Sequence, residues 1–167
     1  MQSDRLIIRP MEQEDRASFI SGISDRSLRT AYGFPADLDR AAAHEIFDRF
    51  CGMGGAYSLV LAATGTMAGF LLDVPPELPA ETASGLPGSG RTLAYAVFPR
   101  FRRQGYMEEA LRMFIPSVKA DYIHCGHFPD NEPSRKLLRK LGFRELGRHQ
   151  AGTGTIVDEI LCPVLLK

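Results

Sequence analysis

The chain has 167 residues, 44% hydrophobic and 24% charged, enough apolar material to bury the core of one soluble globular domain. Its 20 basic residues balance 20 acidic ones, so no net field draws it to nucleic acid or a membrane surface. Nor does an acidic field favour polyamines.

The apolar runs Ser58–Ala63 and Ala68–Leu72 fall far short of the roughly 20 residues needed to span a bilayer. The start, MQSDRLIIRP, carries a charge inside its short apolar run and does not read as a signal peptide. Cys51, Cys125 and Cys162 are far apart and match neither a disulfide framework nor a metal pair. A reduced, cytoplasmic setting is expected, with no metal, no nucleic acid and no membrane partner.

In chain order, Arg5–Pro10 predicts a first strand stopped by proline. The acidic run Glu12–Asp15 suits a helix start, with Ala17, Phe19 and Ile20 as its buried side. Ser24–Asp37 is mixed and punctuated by Gly33 and Pro35. Leu38–Phe50 predicts a helix with Leu38, Ala42, Ile46 and Phe50 on one stripe, ended by Gly52, Gly54 and Gly55. Tyr57–Ala63 and Met67–Val74 read as a hairpin around Thr64-Gly65-Thr66. The following PPELPAETASGLPGSG is too rich in Pro, Gly and Ser for a packed element. It predicts a long, mobile surface loop, either a tolerated insertion or a lid.

Thr92–Val97 is the next strand. Gly105–Ala120 predicts a helix with Met107, Ala110, Leu111, Phe114 and Val118 at helical spacing and Pro116 disturbing its last turns. Tyr122–Phe128 is a strand. Asn131 caps a helix with Pro133 in its first turn, Leu137, Leu138 and Leu141 on one face, and Gly142 as its stop. Phe143–Gln150 and Thr155–Leu165 close the chain as strands around Gly152-Thr153-Gly154. This order describes a mixed α/β sheet with helices packed on it.

The segment from Val97 to Leu111 carries the chemistry. A strand breaks at Phe98-Pro99, turns through Arg102-Arg103-Gln104-Gly105 and enters a helix. Gly105 lets a ligand approach the backbone, and the first N–H groups of the helix lack intrahelical partners. The helix dipole favours an anion there by about 0.3–1 kcal/mol, and Arg102 and Arg103 reinforce it. A solvated basic turn before an ordinary helix would have the same composition, so this stretch needs a second motif.

That motif is Asn131-Glu132-Pro133-Ser134 followed by Leu141-Gly142-Phe143. Together the two stretches resemble the GNAT superfamily of acyl-CoA-dependent N-acyltransferases. Arg102-Arg-Gln-Gly105-Tyr-Met107 resembles the family's (Gln/Arg)-x-x-Gly-x-(Gly/Ala) pyrophosphate motif. The Ala94-Tyr95…Pro99…Gly105-Tyr106-Met107-x-Glu109-Ala110 string is similar to the branch of ribosomal-protein N-terminal acetyltransferases (RimJ/RimL type) and related small-molecule enzymes. The resemblance implies an α+β three-layer fold: a mixed, mostly antiparallel sheet of about seven strands, splayed at the centre and flanked by helices. The whole chain, 1–167, would form a single acetyltransferase-like domain.

It further implies that Phe101, Arg102, Arg103, Gln104, Gly105, Tyr106 and Met107 hold the pyrophosphate of acetyl-CoA. Tyr95, Ala96 and Val97 would hydrogen-bond the pantetheine arm. Asn131 and Ser134 would lie beside it, and Arg135 or Lys136 would reach the adenosine phosphates. The expected reaction is direct acetyl transfer from acetyl-CoA to a primary amine, in a monomer or homodimer.

The match departs from the family pattern in three places. Met107 replaces a small residue, Thr92 stands where relatives often carry a glutamate, and Leu138 stands where many carry a tyrosine acid. Ser134 is the candidate to hydrogen-bond the departing thiolate, and the Val97 N–H to polarise the thioester carbonyl. The base is unassigned among Asp73, Glu77, Glu81 and His127, the last also explicable as a satisfied strand histidine. These departures motivate an alternative, a catalytically inactive acyl-CoA-binding sensor or partner protein. A nucleotide-phosphate binder is disfavoured, since neither GxxxxGK[ST] nor GxGxxG occurs.

Overall fold

The computed structural model describes residues 1–152 and 154–162. Its strands are β1 (Leu6–Pro10), β2 (Ala56–Leu61), β3 (Met67–Val74), β4 (Gly90–Val97), β5 (Tyr122–His127), β6 (Arg144–Ala151) and β7 (Gly154–Leu161). Its helices are α1 (Arg16–Ile23), α2 (Arg26–Tyr32), α3 (Arg40–Gly52), α4 (Ala80–Ala83), α5 (Tyr106–Phe114) and α6 (Glu132–Lys140). Hydrogen-bonded neighbours run β1-β2-β3-β4-β5-β7-β6, an open, mixed and mostly antiparallel sheet of seven strands flanked by helices. The chain divides into two compact units, Met1–Leu72 with Tyr95–Pro116, and Asp73–Ala94 with the chain from Ser117 onward.

In the first unit β1, β2 and β3 form an antiparallel meander, from Leu6↔Leu61 to Pro10↔Tyr57 and with a bulge at Leu59/Val60. Its core is aromatic. Phe19 meets Phe47, Phe50 and Phe70 at centroid distances of 5.4, 5.5 and 5.4 Å. Such edge and tilted pairs add about 0.5–1.5 kcal/mol each beyond their buried area. Beside this core Asp15 is buried yet fully satisfied: Arg9 donates to both its oxygens at 2.7 and 2.9 Å. The Ser58 hydroxyl donates at 2.6 Å and the Glu12 amide at 3.0 Å.

Several expectations shift here. α1 buries Phe19, Gly22 and Ile23, while Ala17 is exposed and Ile20 only half-buried. α3 buries Ala43, Phe47 and Phe50, so Phe50 is on the stripe as expected, the other two positions sit one residue on from Ala42 and Ile46, and Leu38 precedes the helix. The ambiguous Ser24–Asp37 holds α2, capped by the Asp25 carboxylate and stopped by Gly33 at φ +83°. α5 ends at Phe114 because Pro116 cannot continue it, and Val118 lies beyond the helix.

In the second unit β4 pairs with β5 in parallel, β5 with β7 antiparallel, and β7 with β6 antiparallel. The parallel ladder registers Gly90↔Tyr122, Arg91↔Ile123 and Thr92↔His124, and β4 runs on past it to Val97. Leu93, Ile123, Cys125, Leu138, Phe143 and Val157 are buried in this unit. The Pro/Gly-rich stretch does form an element, the single turn of α4. Its far end is tied down: the Ser89 amide donates to Asp121 at 2.7 Å. The last strand is described to Leu161; its expected end, Pro163–Leu165, and Thr153 of the expected turn lie outside the described residues.

Candidate active site

The turn before α5 is built by an unusual run of backbone conformations. Pro99–Phe101 makes one 3-10 turn, Arg102 is extended at φ −65°, ψ 162°, and Arg103 then takes φ +61°. Among the described residues Arg103 is the only non-glycine with positive φ. Gly105 follows at φ +79° and is the N-cap of α5. A glycine cap has no side chain to offer to the first-turn amides of this helix. A Cβ at Gly105 would clash with nothing, its nearest neighbour being Arg5 Nη2 at an ordinary contact distance of 3.7 Å. Glycine is therefore demanded by the left-handed backbone and not by a close neighbour.

Arg5 braces the turn from β1's leading edge, a role sequence reading missed. Its Nη1 donates to the Gln104 carbonyl at 3.0 Å and its Nε to Glu109 at 2.8 Å. Its guanidinium lies 4.9 Å from the Tyr106 ring centroid. Ser3 also donates to Glu109. Burial pushes the Glu109 carboxyl upward, but Ser3 and Arg5 outweigh it and hold the group below its ordinary range. Two charges thus lock α5's first turn onto β1. The only sequence signal was a lone arginine beside an apolar run.

Of the two expected anion ligands, Arg102 is already engaged. It donates to the Val97 carbonyl at 3.3 Å and to the Ser27 hydroxyl at 3.0 Å, while Arg103 is exposed. The strand edge Tyr95–Val97 is half-buried, and its end is pinned by the Phe98 amide on the Ala68 carbonyl at 2.8 Å. Gly69 lies directly against the Ala96–Val97 backbone, where any side chain would clash.

In the second unit the Asn131 side chain accepts from the Ser134 amide at 3.2 Å, capping α6. Ser134 is half-buried, Arg135 pairs with Glu132, and Lys136 is exposed. Leu138 is fully buried, so the place of the expected tyrosine is a core position.

The candidate bases sort by their surroundings. Asp73 is held by Arg91, whose Nε donates at 2.6 Å. Glu77 and Glu81 are exposed. His127 is buried, with Nδ1 donating to the Phe128 carbonyl at 2.8 Å and Nε2 3.4 Å from Glu159 Oε1. The group that sequence reading passed over is His124. It is buried on β5 between Thr92 and Asp158, each 2.9 Å from one ring nitrogen. Burial pushes its pKa below the ordinary histidine value, with Asp158 acting the other way.

The acetyltransferase (GNAT) domain model matches residues 5–144, most of the chain and both motif-bearing stretches. The chain belongs to the GNAT acetyltransferase family. Solved GNAT structures share its fold. A GNAT-family acetyltransferase from Bacillus anthracis superposes with a TM-score of 0.77 at 16% identity, covering 96% of each chain. Mycobacterium smegmatis RimJ, solved with CoA-disulfide, gives 0.72 at 19% identity over 96% of this chain and 83% of that one. Spermidine N-acetyltransferase from Vibrio cholerae, solved with CoA and spermine, gives 0.71 at 12% identity over 97% and 96%. No curated protein sequence matches the chain. The last two neighbours, one named RimJ and one a spermidine N-acetyltransferase, superpose on this chain with nearly the same TM-score. The fold therefore does not select an acceptor. Among the described residues no helix is long and apolar enough to cross a membrane, and no cluster of metal-ligating side chains occurs.

Proposed function

We propose that the protein is an acetyl-CoA-dependent N-acetyltransferase moving an acetyl group to a primary amine, at a protein N-terminus or on a small molecule, by direct transfer. The observation that carries this reading is the turn from Arg102 to Met107. Its left-handed Arg103 and Gly105 lead into a helix N-terminus whose glycine cap makes no side-chain hydrogen bond to it. That arrangement suits a pyrophosphate, and acetyl-CoA supplies the activated acetyl group.

In this reading the amides of Gln104 to Met107 bind the pyrophosphate, with Arg103 beside it and Arg102 joining on release from Val97. The Tyr95–Val97 edge takes the pantetheine arm by strand addition. The Val97 N–H polarises the thioester carbonyl. Asn131 and Ser134 flank the thiol end, Ser134 hydrogen-bonding the departing sulfur, and Arg135 or Lys136 meets the adenosine phosphates.

Titration calorimetry with acetyl-CoA, followed by thiol release across a panel of primary amines, tests the proposal. Micromolar-range binding and release with at least one amine class are expected. No binding, or binding untouched by Gly105→Glu, overturns it. The buried Leu138 favours a second reading, an acyl-CoA-binding partner protein without turnover. Binding without thiol release from any amine would select that reading.

A further inference from the structure

We propose that Gly22 is a positioning residue for acetyl-CoA: its missing side chain seats the Phe98 ring and so sets where the pyrophosphate-binding turn begins. The inference rests on the reading above that the turn from Arg102 to Met107 holds acetyl-CoA. Gly22 lies within α1 and is not among the glycines with positive φ. Its backbone would accept any residue, and alanine would make the stronger helix. What excludes a side chain is Phe98. A Cβ at Gly22 would fall inside contact distance of Cδ1, Cε1 and Cγ of that ring, 2.6 Å from the last. Both residues are buried.

Phe98 is the joint between β4 and the turn. Its amide donates to the Ala68 carbonyl at 2.8 Å, which holds it to β3. Its carbonyl accepts from the Phe101 amide at 2.9 Å, closing the 3-10 turn that follows. Its ring stands between Gly22 and Phe70, 6.4 Å from the Phe70 centroid. Just ahead of it Gly69, also without positive φ, admits the backbone of Ala96 and Val97. Glycines from α1 and β3 thus make room for one short stretch of chain. Arg102, extended, and Arg103, at φ +61°, take their starting direction from it.

A methyl group at Gly22 would act on the turn by leverage. α1 is anchored by Phe19, fully buried against Phe47, Phe50 and Phe70, so the helix is the stiffer side of the contact. The ring must retreat by about 1 Å to regain an ordinary carbon–carbon contact. It has somewhere to go: a cleft of about 380 Å³, lined by Gly22, Met67, Phe98, Pro99 and Phe101 among others, opens beside it. With the Phe98 amide held on β3, the moving ring turns the residue about its own nitrogen. The carbonyl that carries the 3-10 turn swings with it. The amides leading into α5 then meet the pyrophosphate off their line, and misplacement on that scale costs up to about 10²-fold.

Calorimetry with acetyl-CoA on the full chain, with melting curves to confirm folding, tests the proposal. Gly22→Ala should bind acetyl-CoA roughly tenfold more weakly. Its KM for acetyl-CoA in thiol release should rise by a like factor, while kcat and the amine's KM hold. Combining Gly22→Ala with Phe98→Leu should recover most of the loss, because leucine's branched end can rotate off the new Cβ where a rigid ring cannot. Should Gly22→Ala fail to fold, Phe98→Leu alone, which leaves Gly22 facing a gap, should still weaken binding several-fold. A folded Gly22→Ala that binds like wild type overturns the positioning role alone, whatever its melting temperature. So does a loss that the double variant does not recover, since the helix and not the ring would then have moved. Where Gly22→Ala does not fold, wild-type affinity in Phe98→Leu overturns it. No acetyl-CoA binding by the wild type overturns it together with the acetyl-transfer reading.

Discussion

Arg5 Nη1 donates to the carbonyl oxygen of Gln104 at 3.0 Å, joining residues 99 positions apart in the chain. This bond, with the Arg5–Glu109 pair, holds the turn before α5 in a shape the turn's own residues do not favour. Arg103 at φ +61° is strained by an amount on the order of 1–2 kcal/mol, and something outside the turn must hold it there. Arg5→Ala should therefore weaken acetyl-CoA binding several-fold, read by calorimetry. The pair is exposed, so the melting temperature should move little.

Gly105→Ala places a Cβ on a backbone at φ +79°, with no clash from neighbours. The cost is conformational, about 1–2 kcal/mol in urea denaturation. Gly105→Asn should cost less, because asparagine tolerates the left-handed region. Equal destabilisation by the two variants would show that the glycine is required for space instead.

Asn131→Ala removes the α6 cap and should cost about 0.5–2 kcal/mol. Asn131→Asp keeps a cap of equal quality while adding a negative charge. If Asn131 also touches the cofactor, the aspartate variant should fold with wild-type stability yet bind acetyl-CoA more weakly. Unchanged affinity would leave Asn131 as a cap alone.

Two buried groups set the acid stability. Burial raises the Asp15 carboxyl, but Arg9, Ser58 and the Glu12 amide outweigh it and hold it below its ordinary value. Its contribution is present above the ordinary aspartate range, about 3.9, and is lost as pH falls through the folded value. His124 is also lowered, so the unfolded chain binds a proton more readily than the folded one. Stability should thus begin to fall once pH drops below about 6.5, with a second loss in the carboxylate range. Urea midpoints measured across this range check both, and His124→Gln should abolish the first decline only.

Much of the fold was legible along the chain. The apolar strand runs, the Thr64-Gly65-Thr66 hairpin and the Asn131 cap with Gly142 as stop are local patterns, and local sterics and capping decide them. α2 was missed because its signals are brief: an Asp25 cap and a Gly33 stop around seven residues with one buried side chain, Leu28. The α3 stripe was misplaced by one residue because Ile46 and Phe47 are both apolar. Helical spacing alone does not say which of them meets Phe19.

By itself the sequence determined where α5 and α6 begin, since glycine enters the left-handed backbone at Gly105 at little cost and the Asn131 side chain caps the helix that Pro133 opens. Those two stretches were sufficient to point to the family and, with it, to acetyl-CoA. Only the tertiary structure decided which side chains brace the turn and which meet in the buried hydrogen-bonded chain of Thr92, His124 and Asp158. Arg5 and Gln104, or Thr92 and Asp158, are brought together by strand order. No periodicity records a pairing between residues so far apart in the chain.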